Sequence, residues 1–177
     1  MLIGISGKMR VGKDTVAEYI VREYGFREVK FSEGIKEIYD KYHYKDDKGI
    51  KPREELQGIG QSLRRVLGED VWVHYTLDNL DPEENIVVSD VRQDNEFLAL
   101  RERGAINLLI TTSKETQVER MGSMGEVADE TLNHETEHIN ENLADIEIVN
   151  DSTLEDLYKK LDAVLQPMIT GRRDLPK

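Results

Sequence analysis

Short apolar segments alternate along the chain with longer segments in which apolar side chains recur every three or four positions. The short segments are rich in Ile, Val and Leu and are followed by glycine or polar residues, a pattern typical of buried strands. We predict five strands, over residues 2–5, 29–31, 86–88, 106–110 and 146–149.

The longer segments predict helices, because spacings of three and four residues place apolar side chains on one helix face. Gly25 and Gly104 stand where helices end, Pro52 stands where one begins, and Ser-Thr-Leu-Glu at 152–155 has the form of a capping box. Strands that alternate with helices indicate an α/β domain with a mainly parallel sheet. The predicted helices lie at about residues 16–24, 35–42, 56–67, 70–80, 97–100, 114–121 and 154–165.

Composition fits one folded domain over residues 1–177, since 38% of the residues are apolar, 34% are charged, and no repeat or linker is seen. No cysteine is present, which excludes disulfides, thiolate zinc sites and cysteine nucleophiles. A formal charge of -12 disfavours binding to nucleic acid polymers. Neither a secretory signal nor an apolar stretch of membrane length occurs, so we expect no membrane contact and a cytoplasmic location.

A glycine-rich segment lies between the first predicted strand and the first predicted helix. Residues 7–13, GKMRVGK, match the pattern G-x-x-x-x-G-K. Glycines let the backbone curl so that successive N–H groups point at phosphate oxygens, and the helix adds the positive end of its dipole. Lys13 would supply a positive charge to the β- and γ-phosphates. The alternative is a chance glycine turn before a helix, which does not explain why a strand, a loop, a lysine and a helix follow one another in the order that the motif requires. The predicted ATP-binding residues are Gly7, Lys8, Met9, Arg10, Val11, Gly12, Lys13, Asp14 and Thr15.

The position after Lys13 departs from the usual motif, which has Ser or Thr there to hold Mg²⁺. This chain has Asp14, and Thr15 follows one place later. A carboxylate also binds Mg²⁺, directly or through water. We therefore expect ATP with Mg²⁺, and the sequence leaves open whether Asp14 or Thr15 serves the metal.

Asp90 follows the third predicted strand, and Arg92 comes two positions later. Open parallel sheets bind ligands at the carboxyl ends of their strands. We expect Asp90 to face Mg²⁺, directly or through water, and Arg92 to hold a phosphate with its planar guanidinium. The alternatives are a cap for the following helix in the case of Asp90 and a surface ion pair in the case of Arg92.

Four stretches together resemble the deoxynucleoside monophosphate kinases of the phage and bacterial type, within the P-loop kinase superfamily. They are GISGKMRVGKDTVAEYI, PREELQGIGQSLRRVLGEDVWV, VVSDVRQDNEF and, more loosely, NHETEHINENLADIEIVNDSTLEDL. The pattern D-V-R-x-x-N-E at residues 90–96 is the most discriminating of these. The resemblance implies a three-layer fold with a mainly parallel five-stranded sheet, ATP with Mg²⁺ as donor and a nucleoside monophosphate as acceptor. It also implies acceptor-binding helices over about residues 33–80 and a lid-like segment over about residues 120–143.

With this resemblance, the polar face of the third predicted helix becomes a candidate acceptor site. Arg53, Gln57, Gly60 and Arg64 recur at intervals of four, three and four residues, so they share one helix face. Arginines that flank an amide suit a flat base with a phosphate near one end, and the alternative is a solvated polar stripe. Further acceptor candidates are Lys36, Arg92, Asn95 and Glu96, of which the last two are equally suited to capping and solvating a helix.

The lid-like segment is poor in cations. Arg120 lies where P-loop kinases often begin a mobile lid, and no other Lys or Arg occurs before Lys159. The segment therefore lacks a second cation to clamp phosphates. Either Arg92 and the helix arginines compensate, or transfer is slow or lost. The predicted catalytic residues are Lys13, Asp90, Arg92 and Arg120.

Residues 134–138, HETEH, fit the zinc-peptidase pattern H-E-x-x-H. Two histidines one helical turn apart suit zinc, with the glutamate as a base. The flanking segments DETLN and INENLAD are almost entirely polar, so they offer no buried helix as a cleft floor. We favour an element of the lid over a zinc site.

The sequence thus predicts transfer of the γ-phosphate of ATP to a (deoxy)nucleoside monophosphate, with small nucleotides as partners and homodimer formation left open. Two alternatives stay open: a P-loop kinase for another small phosphorylated metabolite, and a regulatory protein that binds ATP without transferring phosphate. Base and sugar preference do not follow from the sequence.

Overall fold

A computed structural model describes residues 1–42, 52–122 and 139–171, apart from the side chain of Arg53. Its centre is a sheet of five strands, all paired in parallel. The strands are β1 (Leu2–Ser6), β2 (Arg27–Val29), β3 (Ile86–Val91), β4 (Ile106–Thr111) and β5 (Ile146–Val149). Their order across the sheet is β2-β3-β1-β4-β5.

Seven α-helices flank the sheet within the described ranges. They are α1 (Lys13–Tyr24), α2 (Glu33–Tyr42), α3 (Arg53–Leu67), α4 (Val71–Leu77), α5 (Asp94–Glu102), α6 (Lys114–Gly122) and α7 (Leu154–Ile169), and a short 3-10 helix covers Glu141–Leu143. The predicted alternation of strands and helices, and the five-stranded parallel sheet, are confirmed. Several limits differ from the prediction. Phe31 is buried but follows the last paired residue of β2, β3 continues to Val91 and so includes Asp90, and α4 ends before Leu80.

Both faces of the sheet are covered by apolar side chains. On one face, Val87 packs in a cluster with residues of α1 and α7, including Ile20 and Leu161. On the other face, Val88 packs with residues of α4 and α5. Adjacent residues of one strand therefore enter different cores, which explains why β3 begins with three consecutive apolar residues, 86–88, rather than with an alternating pattern. The result is the predicted three-layer arrangement.

The strand order fixes where a ligand can approach. β1 is central, with β3 and β2 on one side and β4 and β5 on the other. The connections that leave the carboxyl ends therefore diverge at β1, and such a switch point is where open parallel sheets form their ligand crevice. The glycine-rich loop leaves β1 there, beside the segments that follow β3 and β4. In the described ranges, no helix is both long and apolar enough to cross a membrane.

Candidate functional site

The glycine-rich loop has a strongly curled backbone. Its positive φ angles are 145° at Gly7, 64° at Arg10 and 102° at Gly12, and Arg10 is the one described non-glycine residue with a positive φ. A Cβ atom on Gly7 would lie 2.4 Å from the carbonyl oxygen of Ile110, so only glycine fits there. Left-handed residues interspersed in this way form the concave nest of N–H groups that suits an anion.

The first two carbonyl groups of the loop are bound by its own lysine. Lys13 Nζ donates to the carbonyl oxygens of Gly7 at 2.6 Å and of Lys8 at 2.8 Å. The ammonium is thus held beside the loop at the start of α1. From that position it can add a charge to phosphate groups that meet the N–H groups of the loop and the helix.

The next two carbonyl groups are bound by side chains of α6. Gln117 Nε2 donates to the carbonyl oxygen of Met9 at 2.6 Å, and Arg120 Nη1 donates to that of Arg10 at 3.4 Å. Arg120 Nη2 also donates to the carbonyl oxygen of Asn150 at 3.0 Å. Arg120 therefore joins the loop to the end of β5, and its role in transfer stays a prediction.

The last two carbonyl groups complete the set. Asn150 Nδ2 donates to the carbonyl oxygen of Val11 at 2.8 Å, and the carbonyl oxygen of Gly12 accepts the first helical bond of α1, from Val16 at 3.1 Å. Six successive carbonyl groups, from Gly7 to Gly12, thus have donors. Because these carbonyls are held by other groups, the curled conformation of the loop is fixed by donors from α1, α6 and the end of β5.

Gln117 and Asn150 were missed by the sequence analysis. Both are buried, at 6% exposure each, although both are polar. Asn150 follows β5 and Gln117 lies on α6, so each is more than 100 residues from the carbonyl that it binds. The one signal in the sequence was position, since Asn150 directly follows the strand predicted over residues 146–149.

A cleft of about 1060 Å³ lies on the β3 side of the loop. It brings together six of the predicted acceptor and metal side chains, from α2, α3, the end of β3 and α5, whereas the side chain of Arg53 lies outside the described part of the chain. Apolar residues of α2, α3 and the end of β2 line the same cleft, among them Phe31, Ile35 and Leu56. The six predicted residues are Lys36, Gln57, Arg64, Asp90, Arg92 and Glu96.

Asp90 is bound by the backbone that precedes α2. Its Oδ1 accepts from the N–H of Phe31 at 2.7 Å, and its Oδ2 accepts from the N–H of Ser32 at 3.0 Å. The carboxylate therefore fixes the start of α2 against β3. The alternative of a cap for the following helix is wrong, because the capping box of α5 is formed by Gln93 and Glu96. A contact between Asp90 and Mg²⁺ stays a prediction.

Glu96 is the most buried charged group of the cleft, with 4% exposure. Its Oε2 accepts from the N–H of Arg92 at 2.8 Å and of Gln93 at 3.0 Å. Burial raises its pKa to about 7. The charge of Asp90 acts in the same direction, whereas the backbone N–H groups and the charge of Arg64 act against the shift.

The residues near the start of α1 fit a magnesium ion that shares its ligands with phosphate. Asp14 is exposed, and its Oδ1 lies 4.0 Å from Lys30 Nζ, which is 2.9 Å from Glu28 Oε1. Over the described ranges, no group of three or more His, Cys, Asp or Glu side chains could hold a metal by itself. Mg²⁺ commonly takes one or two protein carboxylates together with phosphates and waters, so Asp14 or Thr15 would suffice at a loaded site.

Two predictions fall on residues that are not described. The HETEH segment at 134–138 and most of the lid-like segment lie in the range 123–138.

A second, smaller cavity of about 340 Å³ borders the loop on the β4 side, where Lys8, Lys114 and Gln117 contribute to its lining.

The sequence is similar to those of known proteins. A family model described as an AAA domain matches residues 3–141. A protein of Acanthamoeba polyphaga mimivirus, named "Putative deoxynucleotide monophosphate kinase", is 28% identical over 192 aligned positions that cover 91% of this chain and 94% of the relative. A UPF0200 protein of Methanothrix thermoacetophila is 25% identical over 185 positions that cover 94% and 97% of the two chains.

Solved structures show a similar architecture. The shikimate kinase from Acinetobacter baumannii in complex with shikimate matches with a TM-score of 0.56 and 16% identity, covering 98% of this chain and 94% of that one. At this identity the likeness concerns the fold alone. The arrangement of sheet, loop and helices is therefore that of the P-loop kinases.

Proposed function

The chain belongs to the AAA-domain family, and on that premise we propose that it transfers the γ-phosphate of ATP to a (deoxy)nucleoside monophosphate, giving the diphosphate and ADP. The observation that carries the proposal is the adjacency of two sites at the carboxyl edge of the sheet. One is the loop with its carbonyl groups held and Lys13 beside it. The other is a cleft lined by cations, amides and apolar side chains.

The donor site would bind the triphosphate through backbone N–H groups, the start of α1 and Lys13. These groups recognise phosphate and not a particular base. Mg²⁺, when bound between the phosphates and Asp14 or Thr15, would supply neutralisation of negative charge on the phosphate oxygens. The protein provides position and charge for transfer and needs little covalent chemistry of its own.

The acceptor site would bind a phosphorylated nucleoside in the cleft. Arg64 and Arg92 are suited to its phosphate because a guanidinium binds two oxygens at once. Gln57 can donate to and accept from a base edge, and Phe31 and Ile35 offer apolar surface to its faces. The described lining includes four cations and four carboxylates, so the cleft is formally neutral in a chain of charge -12. The name of the mimivirus relative agrees with an acceptor of this kind.

A coupled assay with ATP and a panel of (deoxy)nucleoside monophosphates tests the proposal. We expect one or a few acceptors to react, and we expect Lys13→Ala to lower kcat at least about 100-fold with the fold intact. Lys159→Ala is the matched control, because this exposed lysine of α7 pairs with Glu155 and is outside both sites. Full activity of Lys13→Ala would contradict the assignment of the loop.

The shortage of cations in the lid-like segment favours one second candidate, a regulatory protein that binds ATP without transfer. The same panel separates the two. Measurable ATP binding with no turnover for any acceptor supports the regulatory protein, whereas turnover for an acceptor in the panel excludes it. A kinase for another small phosphorylated metabolite would show ATP binding and turnover only when such metabolites are added to the panel.

A further inference from the structure

The carboxyl group of Glu96 has two unlike oxygens. Oε2 is committed to the N–H groups of Arg92 and Gln93, which cap α5. Oε1 instead lies 3.8 Å from Nη2 of Arg64, a distance beyond that of a hydrogen bond. The cap therefore uses one oxygen, and the second forms a loose ion pair at the wall of the cleft.

Arg64 is loosely held on its side of this pair. Its side chain is 18% exposed, and its Nε is buried without a hydrogen-bond partner. Guanidinium groups bind oxyanions through two donors at once, and a buried donor without a partner is costly. An anion that enters the cleft can therefore offer Arg64 better hydrogen bonds than Glu96 does.

We propose that Glu96 is a proton-linked positioning residue of the acceptor site. When a phosphate binds Arg64, the guanidinium turns from Glu96 to the phosphate, and Oε1 of Glu96 takes up one proton from solvent to form an O–H group. No covalent bond of the ligand changes in this step. The inference rests on the proposed function in one respect, that the anion entering the cleft is the acceptor phosphate.

The charges that face Glu96 favour this proton uptake. Asp90 of β3 faces it with a negative charge, and Arg64 of α3 faces it with a positive one. Arg92 and Asp94 flank it on the segment that begins α5, and all of these residues line the same cleft. Because the cleft holds equal numbers of cations and carboxylates, one added proton gives it a net positive charge. A phosphate dianion at Arg64 offsets the positive charge that opposes protonation of Glu96 and adds two negative charges.

The magnitude follows from the free carboxyl group, whose pKa is raised by burial to about 7. At pH 7 about half of the free sites are ionised, so binding should take up about 0.5 proton, rising to about 0.9 proton at pH 8. Above pH 7 the dissociation constant should rise by up to about tenfold per pH unit. The phosphate itself titrates near pH 6, and this contribution is the same in every variant.

Calorimetry in buffers of different ionisation enthalpy measures the proton uptake directly. The probes are the four common deoxynucleoside 5′-monophosphates and inorganic phosphate, titrated without Mg²⁺ or ATP, the state in which Asp90 faces Glu96 with its own negative charge. We expect uptake by Glu96 in the wild type, and in Glu96→Gln only the proton exchange of the phosphate itself. The side-chain oxygen of the glutamine keeps the cap of α5. Glu69→Gln is the matched control, since it removes an exposed carboxylate from the same cleft. Arg64→Gln should abolish binding.

A second readout covers the case of a poorly folded variant. Carboxyl carbon NMR of the wild type, with Glu96 assigned by its absence in Glu96→Gln, should show its titration moving to higher pH when a probe is bound. Equal proton uptake in wild type and Glu96→Gln, a titration that does not move, or binding that survives Arg64→Gln would overturn the inference. Proton uptake with inorganic phosphate but no binding of any nucleotide would support the role of Glu96 and refute a nucleotide acceptor. Nucleotide binding without proton uptake would support the nucleotide acceptor and refute the role of Glu96. If no probe binds, both proposals are refuted.

Discussion

Asn150→Ala is the sharpest test of how the loop is held. The substitution removes the Nδ2 donor to the carbonyl oxygen of Val11, a bond of 2.8 Å in a site where Asn150 is 6% exposed. It leaves the backbone carbonyl of Asn150, which accepts from Thr112 and Arg120, unchanged. The amide also lies against Gly12, since a Cβ atom there would be 2.5 Å from Nδ2. The variant therefore releases the loop at one point and opens space beside it.

The cost is that of a buried carbonyl group left without its donor, about 1–3 kcal/mol. If the loop keeps its shape, this cost appears in the free energy of unfolding. If the loop relaxes and its carbonyl reaches water, ATP must rebuild the curled conformation, and the cost appears in binding. If the whole cost of about 1–3 kcal/mol appears in binding, the dissociation constant for ATP rises by about 5- to 150-fold.

Urea unfolding and ATP calorimetry on the same preparations measure both parts. Asn142→Ala is the control, because Asn142 is exposed and its Nδ2 donates to Oδ1 of the nearby Asn140 at 3.4 Å. We expect the two losses in Asn150→Ala to sum to about 1–3 kcal/mol and those in the control to stay within about 0.5 kcal/mol. If neither quantity changes in Asn150→Ala by more than the control, the amide does not hold the loop and the reasoning fails.

Three further predictions concern the loop, the cleft and the core. Gly7→Ala should abolish detectable ATP binding by calorimetry, because φ is 145° there and the new Cβ would lie 2.4 Å from the backbone oxygen of Ile110, whereas tight binding would show that the loop shifts without loss. Glu96 has its pKa raised from 4.5 to about 7, so its contribution to stability is full below pH 4.5 and is lost as pH rises through 7. The free energy of unfolding of Glu96→Gln in urea should therefore rise by about 3 kcal/mol relative to that of the wild type between pH 4.5 and pH 8. A difference between the two proteins that does not depend on pH would contradict the raised pKa. Leu161→Ala should lower the free energy of unfolding by about 2–5 kcal/mol, since this side chain of α7 is fully buried, and a loss below about 1 kcal/mol would mean that the core closes around the gap.

The sequence by itself determined the elements and the loop. Strands were recognisable because a strand buried on both faces must be apolar at consecutive positions, as β3 is. The loop was recognisable because its glycines, lysine and flanking elements are neighbours in the chain, and local backbone geometry restricts which residues fit. The same reasoning selected Arg64 from one helix face, and Arg92 and Glu96 from the segment after one predicted strand, and all three line one cleft.

Only the tertiary structure decided what these groups bind. Asp90 binds the backbone before α2 rather than that of α5, because the sheet places β2 beside β3. Asn150 and Gln117 reach the loop because β5 and α6 come to it across more than 100 residues of chain. Periodicity reports which face of an element is apolar, since that depends on near neighbours alone. Which polar group meets which partner depends on the order of strands in the sheet, and no local pattern encodes it.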